Sequence, residues 1–283
     1  MPPVSLVVCV YQERELLQRL LQESAGCYDD LVVAHDGPDT MGVRKVIEDC
    51  GGHFFEGPRA YQQEPHWPNL WRQAAHDWIL RLDVDEYPSQ EMREWLQAFR
   101  QAPEPGTNVS GFTCIWPLWN GRMAVTQRWP GGRIFLFNKQ RVRFFGMAET
   151  VPIPDSHYYP LKLVLQHEPR RSSYGIHNIL FRKQAYHWRM VIAQSLLGPP
   201  TELPCWRWSA GDWPPIWEDI RRKPLRTAFR RLVLDPVRQA RAMWQAEQRI
   251  IPTALLGTGA HQFMMAVTFF FFRWRHSRRL KLL

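Results

Sequence analysis

The residues best suited to chemistry are the carboxylates of Asp83-Val84-Asp85-Glu86, which follow the apolar stretch WILRL directly. Carboxylates crowded this closely repel one another unless a cation stands between them. An oxygen-rich cluster of this kind suits Mg²⁺ or Mn²⁺, and those ions in turn suit a diphosphate. Taken alone the run is also compatible with a solvated acidic loop. A second acid, Asp36, closes another apolar stretch (LVVAH) and is followed by Gly37-Pro38, so it either starts a turn or faces a ligand from the same position.

Both acids need elements to hold them. Residues 4 to 10 (VSLVVCV) form an unbroken β-branched run, and the segment ELLQRLLQE after it repeats leucine at helical spacing. LVVA at 31 to 34 precedes a helical MGVRKVIEDCG, and NLWRQAAHDW precedes the strand Trp78 to Leu82, which leaves into the acidic loop. Uniformly apolar strands alternating with short helices predict a parallel sheet covered on both faces. Ligands of such sheets bind beyond the carboxyl ends of the strands, where both acids lie. A helix near Glu91 to Gln101 comes next, and then residues 109 to 170 alternate strand-like pieces (GFTCIW, RIFLFN, VRFFG, LKLVLQH) with turns, as in a mixed sheet. Composition shifts to Trp, Pro and Arg between 205 and 217, which divides a domain of residues 1–208 from an extension of residues 209–283.

Charge follows the same division. Of a formal net +9, the residues from Trp217 onward carry 14 Lys+Arg against 4 Asp+Glu, whereas the first 216 hold 22 against 23. Attraction to phosphate-rich surfaces therefore belongs to the extension. There, arginines interleave with Leu, Phe, Val and Trp at helical spacing, interrupted by Pro224 and Pro236, as in helices that lie on anionic membranes. Ala254 to Phe272 approaches spanning length but contains Gly257, Gly259, His261 and Gln262, which favours an interfacial or re-entrant segment. Five scattered cysteines without metal spacing read as core thiols in a reducing compartment, and the first residues lack the features of a secretory signal. The expected location is cytoplasmic, peripheral to the inner face of the membrane.

Five segments, VSLVVCVYQERELLQRLL, VVAHDGPDT, HDWILRLDVDEYPS, RIFLFNKQRVRFFGMAETV and LVLQHEPRRSS, together resemble glycosyltransferase family 2, in particular bacterial enzymes that extend lipopolysaccharide cores and related glycolipids. The resemblance spans roughly residues 4 to 190. It implies a GT-A fold, an inverting hexosyltransferase-like reaction, a nucleotide-sugar donor, a glycan or lipid-linked acceptor, and Mn²⁺ or Mg²⁺. Carried over residue by residue, it implies that Tyr11 and Glu13 line the base and ribose pocket and that Asp36 accepts hydrogen bonds from the nucleotide. Asp83 would orient nucleotide and donor sugar, Asp85 and His167 would hold the cation, and Glu149 would take the proton of the acceptor hydroxyl, with Asp155 as the next candidate. His35 and Ala148 depart from the family pattern, in which an acid and a histidine usually stand. Arg133, which begins RIFLF, reads as a solvated strand-start arginine or a phosphate contact.

Other classes fit less well. Haloacid-dehalogenase-like phosphatases want Thr or Val where Tyr87 stands, and a pyrophosphorylase wants a Gly-rich, Lys-bearing loop where VYQEREL stands. A nucleic-acid-binding protein could use the basic extension but leaves the acidic loop without a purpose, so nucleic acid is not an expected partner.

Overall fold

The computed structural model describes residues 1–146, 150–170, 205–208 and 222–256. These fall into two compact units: residues 1–146, 150–170 and 205–207 in one, and residue 208 with residues 222–256 in the other.

The first unit is built on an eight-stranded sheet. β1 (Val4–Val10), β2 (Asp30–Asp36), β3 (His53–Gly57) and β4 (Trp78–Arg81) run parallel to one another. Antiparallel pairing joins β7 (Gly131–Asn138) to both β4 and β6 (Val109–Ile115), and joins β5 (Glu86–Pro88) to β10 (His157–His167), while β10 runs parallel to β6. The strands lie in the order β3-β2-β1-β4-β7-β6-β10-β5. This is the α/β architecture expected from the sequence, a mixed and mainly parallel sheet flanked by helices. β1 is almost wholly buried, its one polar residue Ser5 included, because it sits between β2 and β4 with both faces covered.

Helices cover the sheet according to their apolar stripes. Leu17, Leu20 and Leu21 of α1 (Arg14–Glu23) are buried, as are Val43, Val46 and Ile47 of α2 (Val43–Asp49) and Met92, Leu96 and Phe99 of α4 (Gln90–Gln101), all in one core. The hydroxyl of Ser89 caps α4 by accepting from the Met92 N–H at 3.3 Å. A second core holds Trp67, Leu70 and Trp71 of α3 (Trp67–Gln73) with Ile79, Phe137 and Phe144. The end of α3 is closed by a buried lysine: Lys139 Nζ donates to the carbonyls of Trp71 (3.0 Å) and Ala74 (2.8 Å). Burial lowers the pKa of that amine, with Asp77 and Asp30 opposing.

Several expectations need correction. The helix expected over NLWRQAAHDW stops at Gln73, because the chain turns extended at Ala74 to enter β4. The acidic loop is shorter than expected, since Glu86 already begins β5. HFFEG supplies an edge strand, β3, that periodicity did not indicate. In VRFFG only Val142–Arg143 is a strand, β8, paired with β9 (Ile153–Pro154). Cys27 and Cys114 are core thiols as expected and Cys9 is partly buried against the second core, but Cys50, just past α2, and Cys205, outside any helix or strand, are exposed.

In the second unit α5 (Pro224–Glu247) runs 24 residues without the expected breaks. Pro224 occupies the first turn, where a missing N–H costs nothing, and Pro236 removes one bond from a helix long enough to continue past it. Among the described residues no helix is long and apolar enough to cross a membrane. Most of the apolar stretch 254–272, from residue 257 onward, lies outside the described residues.

Close approach of β6 to β7 depends on Gly111, because a Cβ there would lie 2.5 Å from the Leu136 carbonyl oxygen and 2.7 Å from Phe137 Cβ. Gly111→Ala should therefore destabilise the first unit by about 1–3 kcal/mol, read as a lower denaturant midpoint with unchanged slope.

Candidate functional site

Parallel pairing brings the carboxyl ends of β1, β2 and β4 to one edge of the sheet, so Tyr11, Asp36 and Asp83 emerge together. Two antiparallel registers complete the arrangement. β4 pairs with β7 through Leu80 and Leu136, and extending that register by three residues sets Arg133 beside Asp83. β10 pairs with β5 through His167 and Glu86, which sets the end of β10 beside Asp85.

The first register produces a buried ionic cluster. Arg133 Nη2 donates to Asp83 Oδ2 and to the Glu86 carboxylate, 2.9 Å in each case, while the Asp83 N–H donates to Glu86 Oε2 at 2.8 Å. The Glu86 N–H returns a bond of 3.0 Å to the Asp83 carbonyl, which closes the turn. Glu86 has no exposed surface. Burial pushes its carboxyl above the usual range and the Arg133 charge pulls it back. Burial alone would weaken the charge of Arg133, but Glu86 and Asp83 hold it protonated more firmly than usual. Arg133 is thus an internal counter-ion and not a solvated strand-start residue.

The second register makes a candidate metal position. His167 Nε2 lies 3.6 Å from Asp85 Oδ2, and the imidazole is stacked on Trp116 with ring centroids 4.0 Å apart. The Glu168 N–H donates to the Asp85 carbonyl at 2.8 Å, and Arg19 holds the Glu168 side chain at 2.7 Å, so the strap that carries His167 is fixed on both sides. One carboxylate oxygen and one imidazole nitrogen that nearly touch fit a divalent cation whose other ligands come from solvent or substrate, and the nitrogen favours Mn²⁺ over Mg²⁺. Among the described residues no group of three or more His, Cys, Asp or Glu is placed to hold a metal by itself.

Asp36 sits in a second polar cluster. Its carboxylate takes the Arg59 guanidinium on Oδ2, and on Oδ1 it takes the Ala60 N–H and His66 Nε2, the latter at 3.0 Å. Most of the acceptor capacity expected to serve a nucleotide is therefore already engaged by protein. Burial would raise its pKa, but His66, the Ala60 N–H and Arg59 together bring it below the ordinary value of 3.8. Gly57 leaves room for this, since a Cβ there would fall 2.4 Å from the His66 ring. Arg59 also covers the Tyr11 ring at 3.3 Å. Glu13 accepts the Tyr11 N–H at 2.7 Å, and burial raises its pKa against that bond. His35, the departure from the family pattern, is fully buried and bonded through Nδ1 to the Gly37 carbonyl at 2.8 Å, which assigns the proton to Nδ1 and ties down the turn after β2.

The structure thus brings Tyr11, Glu13 and Asp36 into one group and Asp83, Asp85 and His167 into another at the same sheet edge. Glu149 lies outside the described residues. Asp155 does not share the site: it is ion-paired with Arg143 at 3.1 Å and Arg207 at 2.9 Å, just before β10, whereas His167 closes that strand about 30 Å further along. Sequence reasoning missed Arg59, His66 and Trp116. Their roles depend on loops that fold back across the sheet edge, which spacing does not reveal.

No protein-family model matches the chain, and no curated protein matches it in sequence. Among solved structures it is similar to S. aureus TarS 1-349 in complex with UDP, at 11% identity and a TM-score of 0.40 over 97% of this chain and 92% of that one. It is also similar to a longer S. aureus TarS, at 11% identity and a TM-score of 0.39, where the match covers 69% of this chain but spans only 40% of the other's length. The glycosyltransferase GlyE of Streptococcus pneumoniae TIGR4 matches at 8% identity and a TM-score of 0.30, over 50% of this chain and 35% of that one. At such values none of them decides what this chain does.

Because Asp36 is ionised and paired in the fold, Asp36→Asn should cost about 3 kcal/mol at neutral pH by leaving Arg59 without its partner. The pKa of this aspartate is lowered by folding, so its contribution is present above 3.8 and is lost as pH falls through the folded value. Denaturant unfolding of both proteins should show a constant difference from pH 5 to 7 that narrows below about pH 4.

Proposed function

We propose that the chain is a GT-A glycosyltransferase that moves a sugar from a nucleotide-sugar to a hydroxyl of a glycan or lipid-linked acceptor. The observation that carries this reading is the meeting of Asp85 with His167, 3.6 Å apart, beside Asp83 at the carboxyl end of a parallel strand. Two side chains poised for a cation, with further positions left for substrate oxygens, match the needs of a diphosphate leaving group. Bound there, Mn²⁺ or Mg²⁺ would neutralise charge on the departing diphosphate.

The chain's own residues take the remaining roles. Tyr11 and Arg59 form a stacked pair at the end of β1 that suits a nucleobase or ribose, and Glu13 holds the backbone of that loop through the Tyr11 N–H. Asp83, ion-paired with Arg133 at 2.9 Å, would orient the donor sugar. Glu149, assigned from the resemblance, is our candidate to take the acceptor's proton, as an inverting displacement requires.

The partner we propose for the second unit is an anionic membrane surface at the cytoplasmic side. Phe229, Val233, Val237 and Trp244 of α5 are between 53% and 68% exposed. At 100° per residue they share an arc of about 120° with Arg226, Arg230 and Arg241, also exposed. Asp235 lies on the opposite side of the helix, and Glu247, its last residue, stands at the margin of the arc. Apolar side chains to enter the headgroup boundary and arginines to meet lipid phosphates are the requirements of an interfacial helix.

A screen of UDP-, GDP- and CMP-sugars with and without Mn²⁺ tests the reaction. Turnover should require the cation, and Asp85→Ala should abolish it without unfolding the protein. Glu86→Ala should instead destabilise the fold, because it takes from the buried Arg133 one of its two carboxylate partners. Glu149→Gln should slow transfer by about 10²- to 10⁴-fold at near-normal donor affinity. Full transfer in excess EDTA would remove the metal from the reading.

Vesicle sedimentation tests the helix. Replacing Phe229 and Trp244 by Ser and Arg226 and Arg230 by Gln should release the protein from anionic vesicles, and equal sedimentation of variant and wild type would refute the membrane assignment.

A further inference from the structure

Arg81, the last residue of β4, is only 2% exposed, yet its Nε, Nη1 and Nη2 atoms have no hydrogen-bond partner. Its guanidinium lies 4.3 Å over the Trp67 ring, a contact that attracts the charge but supplies no acceptor in the plane of the N–H groups. The charges it faces are Arg133, which repels it, and Asp83, Glu86 and Glu64. Of these, Asp83 and Glu86 are already bound to Arg133. Nε of Arg133 is likewise buried without a partner.

Such an arrangement opposes folding. Buried donors without acceptors lose their bonds to water and gain nothing in return, and the loss is larger when the group is charged. The strand does not require it: Trp78, Ile79 and Leu80, which precede it, are apolar and fully packed. A charge retained against stability, two residues before Asp83 at the carboxyl end of β4, is accounted for when a counter-charge arrives with a ligand.

We infer that Arg81 is an anion receptor within the site, and that its ligand is the diphosphate of the nucleotide, whose oxygens match the guanidinium fork. The inference rests on the nucleotide-sugar reading and adds to it: the diphosphate is met by a cation of the protein itself as well as by a divalent ion. Because the group is buried in the free protein, neighbouring side chains move aside as the anion enters. Nucleoside diphosphate then binds in the absence of divalent ions, which are needed for transfer.

The test compares wild type with Arg81→Met and Arg81→Lys, using inorganic pyrophosphate, UDP, GDP, CDP and the parent nucleosides as probes, by calorimetry and thermal unfolding in EDTA. Arg81→Met should unfold at a higher temperature than wild type without ligand. It should also lose about tenfold to hundredfold in affinity for pyrophosphate and for the preferred nucleoside diphosphate, with nucleoside affinity unchanged. Arg81→Lys, which keeps the charge but not the fork, should fall between. Unchanged diphosphate affinity in Arg81→Met overturns the inference and leaves the nucleotide-sugar reading standing, as does an Arg81→Met protein that is less stable or does not fold, since Arg81 is then a structural counter-ion. Pyrophosphate binding lost in Arg81→Met, with no nucleotide bound by wild type, sustains the receptor and refutes the nucleotide-sugar reading. Absence of all diphosphate binding to wild type refutes both.

Discussion

The contact of Arg133 with Asp83 and Glu86 is the interaction on which the site depends. A parallel sheet delivers its functional side chains to one edge, and here that edge is acidic. Without a positive charge between them, two carboxylates three residues apart in a tight turn would repel each other, and Glu86, wholly enclosed, would have to be neutral. Arg133 lets the turn close, and the closed turn starts β5, which holds β10 and so brings His167 to Asp85. One ion cluster therefore fixes the position of the candidate metal ligands.

The two antiparallel pairings at the far side of the sheet matter as much as the parallel ones. Parallel strands, with the segment after β3, set Tyr11, Asp36 and Asp83 in line and give Asp36 its partners Arg59 and His66, but place neither Arg133 against Asp83 nor His167 against Asp85. β7 and β10 run toward or away from the edge in directions that let residues distant in sequence, 50 positions in the Arg133–Asp83 pair, enter the acidic group. Stability of the free protein and readiness for a ligand are balanced differently at the two arginines: Arg133 is matched by carboxylates, and Arg81 is not.

How much of this was legible in the sequence depends on the range of the interaction. β1, β2, β4, α1 and α4 can be read from local apolar pattern, since burial on one or both faces leaves its mark on every residue of the element. The carboxyl-end position of Asp36 and Asp83 comes from the same pattern. Arg133 could not be read, because an arginine at the start of a strand has the same local context whether its register points it to solvent or to a carboxylate. β5 is three residues long and exists through its pairing with β10, not through any preference of Glu86-Tyr87-Pro88. Pro236 shows the converse, a strong local signal for a break that a long helix overrides.

Trp206 reaches the first unit's core from far along the chain. It exchanges both backbone hydrogen bonds with Phe144, donates its indole N–H to the Lys139 carbonyl at 2.7 Å, and packs edge-on against Trp71 at 5.8 Å. It thereby seals the core beneath α3 and buttresses the lysine that closes that helix. A residue 62 positions from its backbone partner Phe144 thus completes the hydrophobic layer beneath α3, so that core closes only once the distant segment 205–207 has docked.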